Sequence, residues 1–415
     1  MIDELLRELI GGLPAVAVEG AKGVGKTAAA QRLAAATVAL DDPGYRVNIA
    51  ADPRLVTGFA APTLVDEWQL VPDVWDVVRR AVDRDRAPGQ FLLTGSAYPA
   101  KDLRRHAGAG RIVRLAKRPM TLPERGVTSP TVSFADLLAG GRPELAGQTE
   151  FGLADYTREI IASGLPGIRR DPPRLRLRQL DSYIANALDH DIPALGAGVR
   201  RPRALRAWLA AYAAATATTA NYGAILDAAT PGEADKLTRP TVAVYRELLE
   251  QIWLLDPLPA WIPAFNPLKR LAQAPKHHLV DPALAARLLG ATERSLLDGT
   301  ATGPVPRPGT LRGALFESLA ALTVRVFAEP AGAQVSHLRT RNGDHEIDLI
   351  VERDDHKVLA IEVKMGAAVG RGDSRHLAWL ESTGAVVDKV IVNTGPLAHR
   401  LPDGTAVVPL ALLGP

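Results

Sequence analysis

The sequence predicts an α/β protein with a parallel-sheet domain at the N-terminus, a mostly helical middle and a strand-rich C-terminal domain. Three observations predict it. Short apolar runs alternate with helical patterns over residues 1–125. Residues 153–300 read mostly helical. Strand patterns return after the Pro/Gly/Thr-rich stretch Asp298–Gly309. Alternating strands and helices bury a parallel sheet between helical layers. A chain of 415 residues exceeds one ordinary core, so two or three domains are expected. Their expected bounds are 1–125, a connector at 126–152, a helical region at 153–300 and a last domain at 301–415. The connector belongs to a Pro/Gly/Ser-rich stretch that begins at Arg118.

Within the first domain, Leu13–Val18 reads as a buried strand and the Ala/Leu-rich Lys26–Leu40 as a helix. Tyr45–Ile49 and Pro62–Val65 read as the next strands. Val74, Val77, Val78 and Val82 give Asp73–Arg84 helical spacing. Gln90–Thr94 and Arg111–Leu115 are further strands.

Hydrophobic residues make up 47% of the chain and charged residues 23%, a globular balance. The absence of cysteine excludes disulfides, thiolate metal sites and a cysteine nucleophile, and it fits a reducing compartment. Met1–Leu6 is acidic and amphipathic, unlike a signal peptide. No run approaches the roughly 18 apolar residues of a membrane span. A cytoplasmic protein without a membrane partner is therefore expected. The net charge of +3 is largely arginine, which suits phosphate contact but equally fits a GC-rich coding bias.

Gly20-x-x-x-x-Gly25-Lys26-Thr27 lies between a predicted strand and a predicted helix, the context a phosphate-binding loop needs. Gly20, Gly23 and Gly25 let backbone N–H groups turn inward around phosphate oxygens. The following helix points its positive end at the anion. Lys26 would reach the β- and γ-phosphates and Thr27 would ligate Mg²⁺. Thr63–Glu67 is an apolar strand ending in two carboxylates: Asp66 suits the Mg²⁺ shell and Glu67 the polarisation of an attacking water. Phe91–Ser96 ends in Ser96, a hydroxyl placed to sense the γ-phosphate, or simply a Gly-Ser turn.

The order of phosphate loop, Leu64-Val65-Asp66-Glu67, Leu92–Ser96 and Gly108–Leu115 resembles an AAA-type ATPase domain of a widespread prokaryotic family. In that family the ATPase is fused to a C-terminal domain of unknown function with a winged helix and a restriction-endonuclease-like fold. The resemblance implies ATP rather than GTP as the nucleotide. It also implies a role for Arg111 as an arginine finger or sensor, although a basic residue opening a strand is commonplace. A finger acting in trans would call for a homo-oligomer or other protein partner. Lys22 stands where the family's loop carries arginine.

Under the same resemblance, Tyr156–Gly167 and Asp189–Pro193 look like the start of the C-terminal region. Thr238 can cap a helix with Pro240 in its first turn, followed by Val242, Tyr245, Leu248 and Leu249 at helical spacing. Trp253–Ile262 and Lys276–Val280 read as the strands of a wing. Lys236, Arg239, Arg246, Lys269, Arg270 and Lys276 add positive charge. DNA is the expected partner if these form a helix-turn-helix with a wing; a helical connector with solvated basic residues is the alternative. His277-His278 would point to opposite faces of a strand, which disfavours a shared metal.

Glu346–Val351 and Val358–Lys364 read as a hairpin turning near Asp355. That register sets Asp348 opposite Glu362 and Glu346 opposite Lys364. Facing carboxylates repel unless something positive lies between them, and Mg²⁺ is the economical answer. Such a site can activate water against a phosphodiester, with Lys364 stabilising the developing charge. The set resembles the Asp…Glu-x-Lys core of restriction-endonuclease-like nucleases. Glu317 on an upstream helix matches that fold's helical carboxylate, and Arg371, Arg375 and His376 are candidates to complete it. A surface hairpin with ordinary salt bridges is the bland alternative.

Two functions remain open: an ATP-dependent nuclease acting on DNA, and an ATP-driven switch that binds DNA or protein without cutting. A small-molecule kinase would use the same loop but leave the second acidic cluster unexplained.

Overall fold

In the computed structural model, the structure describes residues 2–96, 108–196, 201–229, 237–261, 273–298, 308–340, 343–370 and 372–415. Two compact units emerge. One comprises residues 1–118, 186–200 and 246–254; the other comprises 119–185, 201–245 and 255–415.

The first unit contains α1 (Ile2–Gly12), β1 (Ala15–Glu19), α2 (Lys26–Gln31), β2 (Ala36–Ala39), α3 (Pro43–Ala51), β3 (Thr63–Asp66), α4 (Asp73–Arg84), β4 (Phe91–Gly95) and β5 (Val113–Ala116). The strands form one parallel sheet in the order β2-β3-β4-β1-β5. Every residue of β1, β3 and β4 is buried, which is why these segments read as continuous apolar runs. Two apolar clusters use alternate strand residues. Ala15 and Ala17 pack with Trp75 and Val78 of α4, while Val16 and Val18 pack with Leu6 and Ile10 of α1. The helix expected at Asp73–Arg84 is present.

Two sequence expectations fail here. The Lys26–Leu40 helix stops at Gln31, and Ala36–Ala39 becomes β2, paired with β3. Alanine favours a helix only weakly, and a strand partner overrides that preference. Tyr45–Ile49 lies in α3 rather than in a strand. Asp42 caps this helix by accepting from Gly44 N at 2.6 Å, and Pro43 sits in its first turn.

The second unit contains β6 (Val132–Ser133), α5 (Phe134–Ala139), α6 (Leu153–Ala162), α7 (Pro202–Ala214), α8 (Tyr222–Ala229), α9 (Pro282–Leu288) and α10 (Pro308–Ala328). Then follow β7 (Gln334–Arg339), β8 (Glu346–Glu352), β9 (Val358–Val363), α11 (Arg375–Glu381), β10 (Val386–Asn393), β11 (His399–Arg400), β12 (Ala406–Pro409) and β13 (Leu413–Gly414). A mixed sheet runs β11-β12-β10-β9-β8-β7, with β7, β8 and β9 antiparallel in turn and β9, β10 and β12 parallel. Helix α10 packs against β7 and β8.

The expected connector at 126–152 is part of this unit. Its β6 pairs with β13, and its α5 packs on β9 and β10. Ser133 caps α5, and Phe134, Leu137 and Leu138 are buried, an apolar stripe hidden among turn residues. The helix expected after Thr238 spans Arg239–Gln251. The expected wing strands occur as isolated antiparallel bridges, Leu255–Leu279 and Leu258–Lys276. Lys236, Lys269, Arg270 and Arg371 lie outside the described residues. His277 and His278 are buried, with His277 Nε2 bonded to the Ala220 carbonyl. Among the described residues no helix is long and apolar enough to cross a membrane.

Candidate active site

The phosphate loop begins where β1 ends. A Cβ on Gly20 would lie 2.1 Å from the Lys117 carbonyl oxygen, so only glycine fits beside the chain leaving β5. Gly23 and Gly25 carry φ of 75° and 85°, which turns the loop into α2. Lys26 is buried, and its ammonium donates to the Gly20 and Ala21 carbonyls, both at 2.9 Å. Burial lowers its pKa to about 8, against the opposing pull of Glu67 and Asp66.

Adjacent parallel strands bring the other groups together. Thr27 Oγ1 donates to Asp66 Oδ1 at 2.9 Å, and the Thr94 hydroxyl donates to the same oxygen. Glu67 follows Asp66 in the left-handed region, φ 53°. Its Oε2 accepts from Ser96 Oγ at 3.3 Å and from the Gln69 side-chain amide. The hydroxyl–carboxylate pair of Thr27 and Asp66 is an oxygen donor set suited to Mg²⁺. Gln69 escaped sequence reasoning; its signal was its place two residues beyond the acidic pair. Arg111 turns elsewhere: its Nε donates to Asp83 Oδ1 at 2.7 Å and its Nη1 to the Ala109 carbonyl.

A protonated Lys26 is the form that pairs with phosphate. Because its pKa is depressed to about 8, affinity for ATP should be flat below that value and fall as pH rises through it. The limiting loss is about tenfold per pH unit if the charge is essential. Lys26→Arg should flatten the profile, and an unchanged dissociation constant from about pH 7 to about pH 9 would contradict the assignment.

In the second unit, Leu349 pairs with Ile361 and Ile350 with Ala360, so the register sets Asp348 opposite Glu362 as the sequence predicts. Val363 N donates to Asp348 Oδ2 at 2.8 Å, and Lys364 Nζ to Glu362 Oε1 at 2.7 Å. Glu317 on α10 joins them through Lys276, a residue of the expected wing. Lys276 Nζ donates to Glu317 Oε1 at 2.7 Å and to Asp348 Oδ1 at 3.0 Å, and lies 3.6 Å from Glu346 Oε1. Lys276 is 1% exposed. Burial alone would discharge it, but Asp348 and Glu317 outweigh burial and hold the ammonium charged, above its usual range. Burial and then Asp348 push Glu317 and Glu362 above the usual carboxylate range.

The carboxylates Glu317, Glu346, Asp348 and Glu362 line a cavity of about 500 Å³ that Lys364, Arg375 and His376 also border. Arg375 Nε donates to His376 Nε2 at 3.0 Å. That leaves His376 Nδ1 as the protonated nitrogen, 3.2 Å from His345 Nδ1. His345 stacks on Trp379 with ring centroids 4.0 Å apart.

The expected Mg²⁺ set fits this arrangement poorly. Both oxygens of Asp348 and one each of Glu317 and Glu362 are engaged by Lys276, Val363 and Lys364. Among the described residues no three acidic or histidine side chains are grouped to hold a metal. Lys276 takes the place between the carboxylates that the sequence reading gave to a divalent cation. One feature favours a further ligand: Glu362 Oε2 is buried with no hydrogen-bond partner among the described residues.

Residues 13–125 match an AAA domain. That match supports ATP binding and hydrolysis by the P-loop region. Residues 153–295 match a domain of unknown function (DUF8612), and residues 312–413 match another (DUF4143). Two mycobacterial proteins, from Mycobacterium tuberculosis and Mycobacterium bovis and both described as uncharacterized, are 27% identical over 356 residues, 84% of this chain and 69% of theirs. A Walker-type ATPase of Pyrococcus abyssi is similar at 15% identity and a TM-score of 0.40, over 69% of this chain and 94% of that one. A likeness that distant adds nothing to the assignment.

Proposed function

We propose that this protein is an ATP-driven switch: its AAA domain binds and hydrolyses ATP, and its C-terminal region engages DNA or a protein partner without cutting. The grouping of Thr27, Asp66 and Glu67 at the mouth of the phosphate loop carries the ATPase part. Lys26 would leave the Gly20 and Ala21 carbonyls for the β- and γ-phosphates. Thr27 and Asp66 would hold magnesium, which when bound neutralises charge on the phosphates. Glu67, aimed by Gln69 and Ser96, would take the proton of the attacking water.

Glu67→Gln should therefore bind ATP about as tightly as wild type and turn it over about 100-fold more slowly. Equal turnover in the two proteins would remove Glu67 from the mechanism. Double-stranded DNA added to the hydrolysis assay tests the partner: stimulation favours DNA, and no effect leaves a protein partner.

Lys276 supports the non-cutting part, because its ammonium already neutralises Asp348 and Glu317. The orphaned Glu362 Oε2 favours a second reading, a Mg²⁺-dependent nuclease using Asp348, Glu362, Lys364 and Glu317. Nicking of plasmid DNA with Mg²⁺ or Mn²⁺ decides between them. Cleavage by wild type that Asp348→Ala loses would establish the nuclease; the same background in both would dismiss it.

A further inference from the structure

The motif Asp189–Pro193 plays no part in the reading above, yet the structure places it beside the phosphate loop. Residues 186–200 belong to the same compact unit as the ATPase sheet, although they follow that sheet by some seventy residues of other structure. Within this segment Ala187–Asp191 winds as a π-helix, a less favourable winding that recurs at functional positions. It delivers Asp191 to the loop: Lys22 Nζ donates to Asp191 Oδ1 at 2.6 Å. Lys22 lies between Gly20 and Gly23, inside the turn that must wrap the phosphates.

We infer that Asp191 is a positioning residue for nucleotide binding, a latch that holds Lys22 until phosphate draws it away. Three considerations support this. First, a carboxylate bonded to the phosphate loop opposes the approach of a triphosphate carrying several negative charges, so ATP and Asp191 compete for one cation. Second, the Lys22 side chain is 56% exposed and that of Asp191 17%, so the pair adds little to stability and is cheap to break. Third, the neighbouring Lys26 is also turned onto its own loop, bonded to Gly20 and Ala21 carbonyls. Both cations of the loop are thus held by the protein, and ATP must recruit both. The inference rests on ATP binding at residues 20–27.

The test is the dissociation constant for Mg-ATP, with melting temperature as control, for wild type, Asp191→Asn, Lys22→Met and the double variant. Asp191→Asn should tighten ATP about three- to tenfold, with the nucleotide-free melting temperature unchanged. Lys22→Met should weaken ATP, and adding Asp191→Asn to it should change nothing further. Asp191→Glu, which restores the anion, should return affinity toward wild type and covers the case in which the Asn variant folds poorly. A lowered melting temperature with unchanged ATP affinity in Asp191→Asn would reduce the pair to a structural tie and overturn the inference. Failure of wild type itself to bind ATP would instead overturn the ATPase reading, and this inference with it.

Discussion

Lys26→Ala is expected to abolish measurable ATP binding at micromolar nucleotide and to lower hydrolysis at least about 100-fold, the scale of losing one preorganised charge at a reacting group. The lysine is buried at the base of the loop, where its charge acts in a low-dielectric setting and a phosphate oxygen gains more from it than from a solvated side chain. In the nucleotide-free arrangement the ammonium satisfies the Gly20 and Ala21 carbonyls. Removing it therefore leaves two backbone acceptors short as well as the phosphates unpaired. Since burial already depresses the lysine toward neutrality, the folded protein bears a cost for keeping it charged, and the variant need not be less stable than wild type. Calorimetric titration with Mg-ATP, alongside thermal melting, separates the effects. Retained binding with intact turnover would contradict the assignment of residues 20–27 as the nucleotide site.

The second large effect concerns stability. Arg125→Ala should destabilise the second unit by about 3 kcal/mol or more, because it removes one of the two cations that hold Glu159 and the donors of two backbone carbonyls. The Arg125 side chain is fully buried. Its Nη1 donates to the Glu159 carbonyl at 2.8 Å and to Glu159 Oε2 at 3.2 Å, and its Nε donates to the Met120 carbonyl at 2.8 Å. Arg169 donates to both oxygens of Glu159, to Oε2 at 2.6 Å and to Oε1 at 3.2 Å. Removal of Arg125 leaves Glu159 with one guanidinium in place of two, and Met120 without its donor. Adding Glu159→Gln to Arg125→Met should recover nothing, since Arg169 then loses the carboxylate it holds. Urea unfolding followed by a probe in the second unit measures both; a loss under about 1 kcal/mol for Arg125→Ala would show that the network is solvated.

Arg125 also marks where sequence reading stopped. It lies in the Pro/Gly/Ser-rich stretch that runs on into the expected connector, and composition carries no sign that β6 pairs with β13, nearly three hundred residues later. Such pairing depends on where the rest of the chain travels. The same limit explains Ala36–Ala39, whose strand identity comes from β3 rather than from its own side chains.

The sequence by itself determined whatever depends on short-range geometry. Loop glycines, a lysine and a threonine at fixed offsets imply a phosphate loop. Apolar runs ending in Asp66-Glu67 and Thr94-Gly95-Ser96 imply strand ends beside it, and a polar turn near Asp355 sets Asp348 opposite Glu362 by counting alone. Tertiary structure alone decided which charges occupy those places. Lys276 precedes Asp348 by 72 residues and Asp191 follows Lys22 by 169, and neither pairing has a local signal. The reason is electrostatic. A buried or crowded carboxylate takes whatever cation the fold brings within reach, and sequence spacing does not say which cation that will be.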